Sequence, residues 1–162
     1  MITSIDAEQT SRLHFMSLNA GALAIGHRPP LRALKQMRAA GLTHVVTVLA
    51  QSENPNAIAV AARDAGLDWM WIDLGSTKNL PARAKPEIKA ALERIAEILH
   101  AGGRIYLHCS AGIHRTGMIA AALLFHLSHD ETEIRAALTA MRPVTAEGMG
   151  EDRFEWSRSF SS

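Results

Sequence analysis

Apolar residues recur along this chain with two periods. Short dense runs at residues 22–25, 44–49, 69–72 and 104–108 have the length of buried strands, and residues 15–18 have that of an edge strand. Helix patterns fall between them. Leu31, Leu34 and Met37 share one face of residues 31–40, and Gly41 follows as a C′ residue. Ile58, Ala61, Ala62 and Ala65 mark a helix over 56–65. Over 86–101, Ile88, Leu92, Ile95 and Leu99 repeat at helical spacing, with Pro86 in the first turn and Gly102-Gly103 beyond the end. Residues 116–127 are apolar almost all round, which predicts a buried helix. A further helix over 131–141 stops before Pro143, and a last one covers 151–159. Trp69 and Trp71, on one strand face, are expected in the core.

Strands alternating with helices predict an α/β fold: a mostly parallel central sheet of four to five strands with helices on both faces. One domain is expected over residues 1–162, with loose tails at 1–14 and 157–162. In such sheets ligands bind beyond the carboxyl ends of the strands.

Composition narrows the function. Hydrophobic residues make up 48% and charged residues 20%, as in ordered globular proteins. A net charge of +1 leaves no footprint for nucleic acid or an anionic membrane surface. The longest apolar run, near 118–127, is too short to span a bilayer. The first residues mix charged and apolar side chains, unlike a secretory signal. The single cysteine excludes an intrachain disulfide, and a free thiol suits a reducing compartment; a cytoplasmic location is expected.

That cysteine carries the strongest signal. Strand 104–108 leads into His108-Cys109-Ser110-Ala111-Gly112-Ile113-His114-Arg115-Thr116-Gly117, and the buried helix follows at once. Backbone N–H groups of 110–115 can converge on one point if these residues curl into a helix N-terminus, where the dipole adds positive charge. Gly112 suits a positive φ in the tight turn, and Gly117 allows close packing. The same field favours thiolate over thiol at Cys109. Arg115 at a helix N-terminus opposes the dipole unless an anion faces it, and its guanidinium can grip two phosphate oxygens at once. Thr116 is placed to donate to the sulfur. A lone Cys or Arg would say little; chance co-occurrence of the whole pattern is about one in 10⁵ per cysteine.

These residues resemble the signature of the cysteine-dependent protein tyrosine phosphatase superfamily, His-Cys-x5-Arg-(Ser/Thr), matched by His108, Cys109, Arg115 and Thr116. The length resembles its compact dual-specificity members. The resemblance implies metal-independent, cofactor-free hydrolysis through a phosphocysteine, with Cys109 attacking phosphorus. Residues Ser110, Ala111, Gly112, Ile113, His114 and Arg115 would bind the phosphate, and His108 would shape the loop. It also implies an aspartate acid on a separate upstream loop. Asp68 and Asp73 flank strand 69–72. If that strand runs parallel to 104–108, Asp73 lies on the edge of Cys109, and Asp68 lies roughly 16 Å away. Asp73 is therefore the expected acid, with residues 74–81 as a lid and Glu147, in a loop over 145–150, in reserve.

The expected substrate is protein phosphotyrosine, with phosphoserine and phosphothreonine also open, and the expected partner is a phosphorylated protein or small phosphoester. A phosphoinositide, an inositol phosphate, an RNA 5′-phosphate, a silent phosphate-binding module and a rhodanese-like sulfurtransferase stand as alternatives. The absence of lysine from 110–114 weighs against phosphoinositides. His114 is either a substrate contact or a solvated loop residue, Lys78 reads as a surface lysine, and Arg28 is a candidate for the cleft edge. The remaining histidines show no metal-ligand spacing.

Overall fold

The computed structural model describes residues 13–162. Five strands, β1 (Met16–Leu18), β2 (Gly21–Gly26), β3 (His44–Leu49), β4 (Asp68–Asp73) and β5 (Arg104–His108), form one sheet in the order β1-β2-β5-β3-β4. Only the edge pair β1–β2 is antiparallel. This is the mostly parallel α/β architecture that the alternation of patterns predicts. Side chains alternate across the strands with period two. Leu23, Ile25, Val46, Val48, Ile105 and Leu107 face one core, and Ala24, Val45, Leu49 and Tyr106 face the other.

The smaller core is covered by a 3-10 turn at Leu31–Ala33, α1 (Leu34–Ala39) and α2 (Pro55–Asp64). The larger is covered by α3 (Ala84–His100), α4 (His114–His126), α5 (Glu131–Met141), α6 (Pro143–Gly148) and α7 (Glu151–Ser157). Every residue of α4 from Thr116 to Phe125 is buried, which is why its pattern is apolar all round. A reciprocal capping box starts α5: Asp130 Oδ1 accepts from the Glu133 N–H and Glu133 Oε2 from the Asp130 N–H, both at 2.9 Å. Pro55 and Pro143 open α2 and α6, where a missing N–H costs nothing.

Three expectations are corrected. Residues 157–162, read as a loose tail, are docked: Phe160 is buried, and Ser157 Oγ donates to the Met118 carbonyl at 2.8 Å. The glycine-containing loop over 145–150 is largely helix α6. Trp71, expected in the core, is 37% exposed because β4 is a sheet edge, and its Nε1 donates to the Leu49 carbonyl at 2.8 Å. The expected tail at 1–14 lies outside the described residues except for Leu13 and His14.

Strand β5 lies between β2 and β3, so chain order reverses beside it. A crevice opens at the carboxyl ends of strands at such a switch point. The chain leaves β5 there at Cys109.

Candidate active site

Register places the site residues before any side chain is considered. Thr47 pairs with His108, and Leu49 pairs with Asp73, so β3, β4 and β5 bring Asp73 and Cys109 to the same sheet edge. Asp68 pairs with His44 at the opposite end, where its carboxylate lies 3.5 Å from His44 Nε2. Asp73 and Asp68 thus lie at opposite ends of β4, with Asp73 at the Cys109 end, as expected. Asp73 is exposed at the end of β4. Glu147 lines a cavity with Arg135, Met149 and Phe154, and no residue of the Cys109 loop lines it.

Cys109 is buried at the start of the loop, and its Sγ accepts the Gly112 N–H at 3.2 Å. Gly112 has φ +73°; a Cβ there would stand 2.3 Å from the carbonyl carbon and oxygen of Gly26. Glycine is therefore required twice over, by conformation and by close approach. Behind the loop, a Cβ at Gly117 would meet Met149 Cβ at 2.8 Å, so α4 can approach the end of α6 only with glycine there. Helix α4 begins with no side-chain cap and no acidic residue in its first turn. Its first N–H groups are left for an external acceptor. Thr116 departs from expectation: its buried hydroxyl has no hydrogen-bond partner among the described residues, and the sulfur takes the Gly112 amide instead.

His108 is held by a relay from the sheet. Trp69 Nε1–H donates to Thr47 Oγ1 at 2.9 Å, and Thr47 Oγ1 lies 2.8 Å from His108 Nε2. His108 Nδ1 lies 2.8 Å from the Cys109 carbonyl. A carbonyl only accepts, so these partners assign the proton to Nδ1 and make Nε2 the acceptor from Thr47. Burial lowers the His108 pKa to about 4, which keeps the ring neutral. Tyr106 stacks on it with ring centroids 5.8 Å apart.

Arg115 meets a residue that sequence reasoning missed. Its Nη1 donates to Glu53 Oε2 at 2.6 Å and to the Leu74 carbonyl at 3.0 Å; its Nη2 donates to Glu53 Oε1 at 3.0 Å. The Glu53 bond is the leading cause of a raised Arg115 pKa, and the Arg115 bond is the leading cause of a lowered one at Glu53. Glu53 is fixed in turn, because its Oε2 accepts the Ala50 N–H at 2.8 Å. Arg28 joins the same cluster: its N–H donates to the Ser110 carbonyl at 2.9 Å, and its Nη2 donates to the Asn54 carbonyl at 3.1 Å. Three of the five guanidinium N–H donors of Arg115 are thereby used, leaving Nε–H and one Nη2–H along one edge. That edge matches two oxygens of a tetrahedral anion.

Arg142 and Thr145 were also missed. Both bind loop carbonyls: Arg142 Nη1 lies 2.7 Å from Gly112 O, and Thr145 Oγ1 donates to the same atom. The signal for Glu53 was available, since it follows β3 at the edge already used to choose Asp73. Nothing in the sequence marked Arg142 or Thr145. Lys78 is exposed, and Arg153 Nε donates to Thr77 Oγ1 at 2.8 Å, tying the segment after β4 to α7. Among the described residues no helix is long and apolar enough to cross a membrane.

A profile of the tyrosine phosphatase family matches residues 27–146. A search of curated proteins returns no match. Among solved structures, a mutant form of Tk-PTP is 19% identical, with a TM-score of 0.70 over 93% of this chain and 95% of that one. PTPMT1 is 16% identical, with a TM-score of 0.70 over 91% and 93%. The core catalytic domain of the PP-IP phosphatase SIW14 from S. cerevisiae is 18% identical, with a TM-score of 0.63 over 88% and 82%. At these identities the likeness is one of fold.

Proposed function

This chain belongs to the tyrosine phosphatase family and is a phosphatase of the cysteine-dependent superfamily; on that premise we propose that it hydrolyses phosphotyrosine in proteins through a phosphocysteine. The observation that carries the reading is the Cys109 loop itself. A buried sulfur faces a loop amide, an uncapped helix start and an arginine whose Nε/Nη2 edge, not taken by Glu53 or Leu74, fits a phosphate.

In the first step the Cys109 thiolate forms an S–P bond as the ester P–O bond breaks, and Asp73 gives its proton to the leaving oxygen. In the second, water attacks phosphorus, the Asp73 carboxylate takes its proton, and the S–P bond breaks to release phosphate. The loop amides of 110–115 and the Nε/Nη2 edge of Arg115 hold the equatorial oxygens throughout. His108, whose pKa burial lowers to about 4, supports the loop as a neutral ring near pH 7. The same loop admits phosphoserine and phosphothreonine; tyrosine is favoured because an aryl oxide leaves more readily. A free catalytic thiol also argues for a cytoplasmic enzyme, acting as one domain.

A second reading, a small phosphoester as substrate, is favoured by the neighbours: one PTPMT1 structure holds PI(5)P, and SIW14 is a PP-IP phosphatase. Turnover of p-nitrophenyl phosphate in EDTA tests the chemistry. C109S abolishes it, and D73N lowers the rate and removes the basic limb of the pH profile. An unchanged rate and profile in D73N would put the acid elsewhere. A panel of phosphotyrosine peptides, phosphoinositides and inositol phosphates then decides between the substrates.

A further inference from the structure

We infer that Arg142 is a positioning residue that clamps the two peptide planes around Gly112 in the orientation the phosphate loop needs, an inference that rests on the phosphatase reading above. Arg142 lies between the end of α5 and Pro143 with φ −162° and ψ 99°, the extended backbone that a following proline favours. That turn aims its guanidinium at the loop. Nη1 lies 2.7 Å from Gly112 O, 3.3 Å from Ala111 O and 3.1 Å from Thr145 Oγ1. The fully buried Thr145 gives its hydroxyl proton to Gly112 O as well.

The C=O and N–H of one peptide point in opposite directions. Drawing Ala111 O toward Arg142 therefore turns the Gly112 N–H the other way, and that N–H is the one on Cys109 Sγ at 3.2 Å. Drawing Gly112 O outward turns the Ile113 N–H inward by the same argument. Gly112 cannot hold these planes by itself. Its φ is +73°, and glycine rotates more freely than any other residue. Nor can a stiffer residue replace it, because a Cβ would collide with Gly26 at 2.3 Å and with the His27 nitrogen at 2.5 Å. The restraint has to come from outside the loop. Without it, a rotated plane would turn a carbonyl oxygen toward the sulfur and the bound anion, replacing a donor with an acceptor.

The test compares R142M, R142K and T145V with the wild type in four measurements. These are alkylation of Cys109 by iodoacetamide at neutral pH, protection of Cys109 by arsenate, kcat and KM on p-nitrophenyl phosphate, and the thermal midpoint. R142M is expected to slow alkylation and weaken arsenate protection by about 10-fold each, and to lower kcat more than it raises KM. R142K recovers part of the loss. T145V moves the same readouts less, and the double variant R142M/T145V loses less than the two single losses combined, since both act on one carbonyl. Wild-type alkylation and arsenate protection in R142M, whatever its thermal midpoint, overturn the clamp. If R142M does not fold, T145V carries the same readouts, and unchanged values there overturn it. A wild type that never turns over substrate, with R142M still shifting alkylation and protection, would sink the phosphatase reading and leave the clamp standing.

Discussion

Among the described residues, two arginines hold a carboxylate with two nitrogens each, and their settings differ. Arg115 grips Glu53 at 2.6 and 3.0 Å, with the two side chains 12% and 32% exposed. Arg135, on α5, grips Glu151 at 2.8 and 3.0 Å, with side chains 42% and 78% exposed. Arg135 also pairs with Glu131, which Arg158 shares. The outer fork sits in water that screens it and competes for every bond. The inner fork joins loops that follow β3, β4 and β5, through Glu53, Leu74 and Arg115 itself. Breaking it strands a half-buried charge beside the nucleophile. Near-identical bond lengths therefore do opposite jobs: one braces two helices, and the other aims a guanidinium.

The comparison is broken most severely by removing the planar fork at the inner site. R115K keeps the charge but cannot present two parallel donors to phosphate while holding Glu53. Turnover is expected to fall by about 10³-fold, with the thermal midpoint nearly unchanged. Steady-state kinetics on p-nitrophenyl phosphate, beside a melting curve, checks this. E53Q is the next largest. It leaves Arg115 charged but loosely aimed, and kcat is expected to drop by about 10-fold to 100-fold, with a smaller change in KM. An E53Q enzyme with wild-type kcat would put the inner fork in the same class as the outer one.

Acid lowers stability through two groups of the inner region, in two windows. Arg115 holds the Glu53 carboxyl below the usual carboxylate range. The stability that this pair contributes is complete above the ordinary glutamate pKa and is lost as pH falls through the lowered one. His108 acts over a higher window. Its folded pKa is about 4 against 6.5 in the unfolded chain, so between these values the unfolded state binds a proton that the native state refuses. Stability therefore falls as pH drops from about 6.5 to about 4, by on the order of 3 kcal/mol. H108N is expected to flatten that slope in denaturant titrations across the window, although it is less stable than the wild type at neutral pH. An unchanged slope would mean that another group sets the acid limb.

How much of this was legible in the sequence follows from how local each feature is. The stretch from His108 to Thr116 is contiguous with its strand and its helix, so spacing alone carried the geometry. Asp73 was reached through one step of topology, the direction of β4. The same step would have reached Glu53, but a carboxylate in a short 3-10 turn carries no motif, and its partner lies 62 residues away. Arg142 bonds a loop 30 residues upstream through carbonyls, which no residue type advertises. The segments misread as a loose tail and as a loop share a cause. Serine and glycine suggest turns by composition, yet Ser157 bonds a helical carbonyl of α4, and residues 145–148 fold as helix because Pro143 starts it and Thr145 is anchored on Gly112.

The smallest expected effect lies at the outer fork. E151Q removes the carboxylate charge that Arg135 binds, yet Arg135 keeps Glu131 at 3.0 Å and its stacking over the Phe154 ring at 3.9 Å. The amide oxygen of glutamine still accepts one hydrogen bond, and water satisfies the other nitrogen at little cost on an exposed face. Turnover and the thermal midpoint should both match the wild type within error, in low salt and in high. A fall in kcat at E151Q would mean that α5 and α7 transmit strain to the Cys109 loop. The route would run through Arg142, the residue that follows α5 directly, and the contrast between the forks would then be one of distance along a shared scaffold rather than of burial.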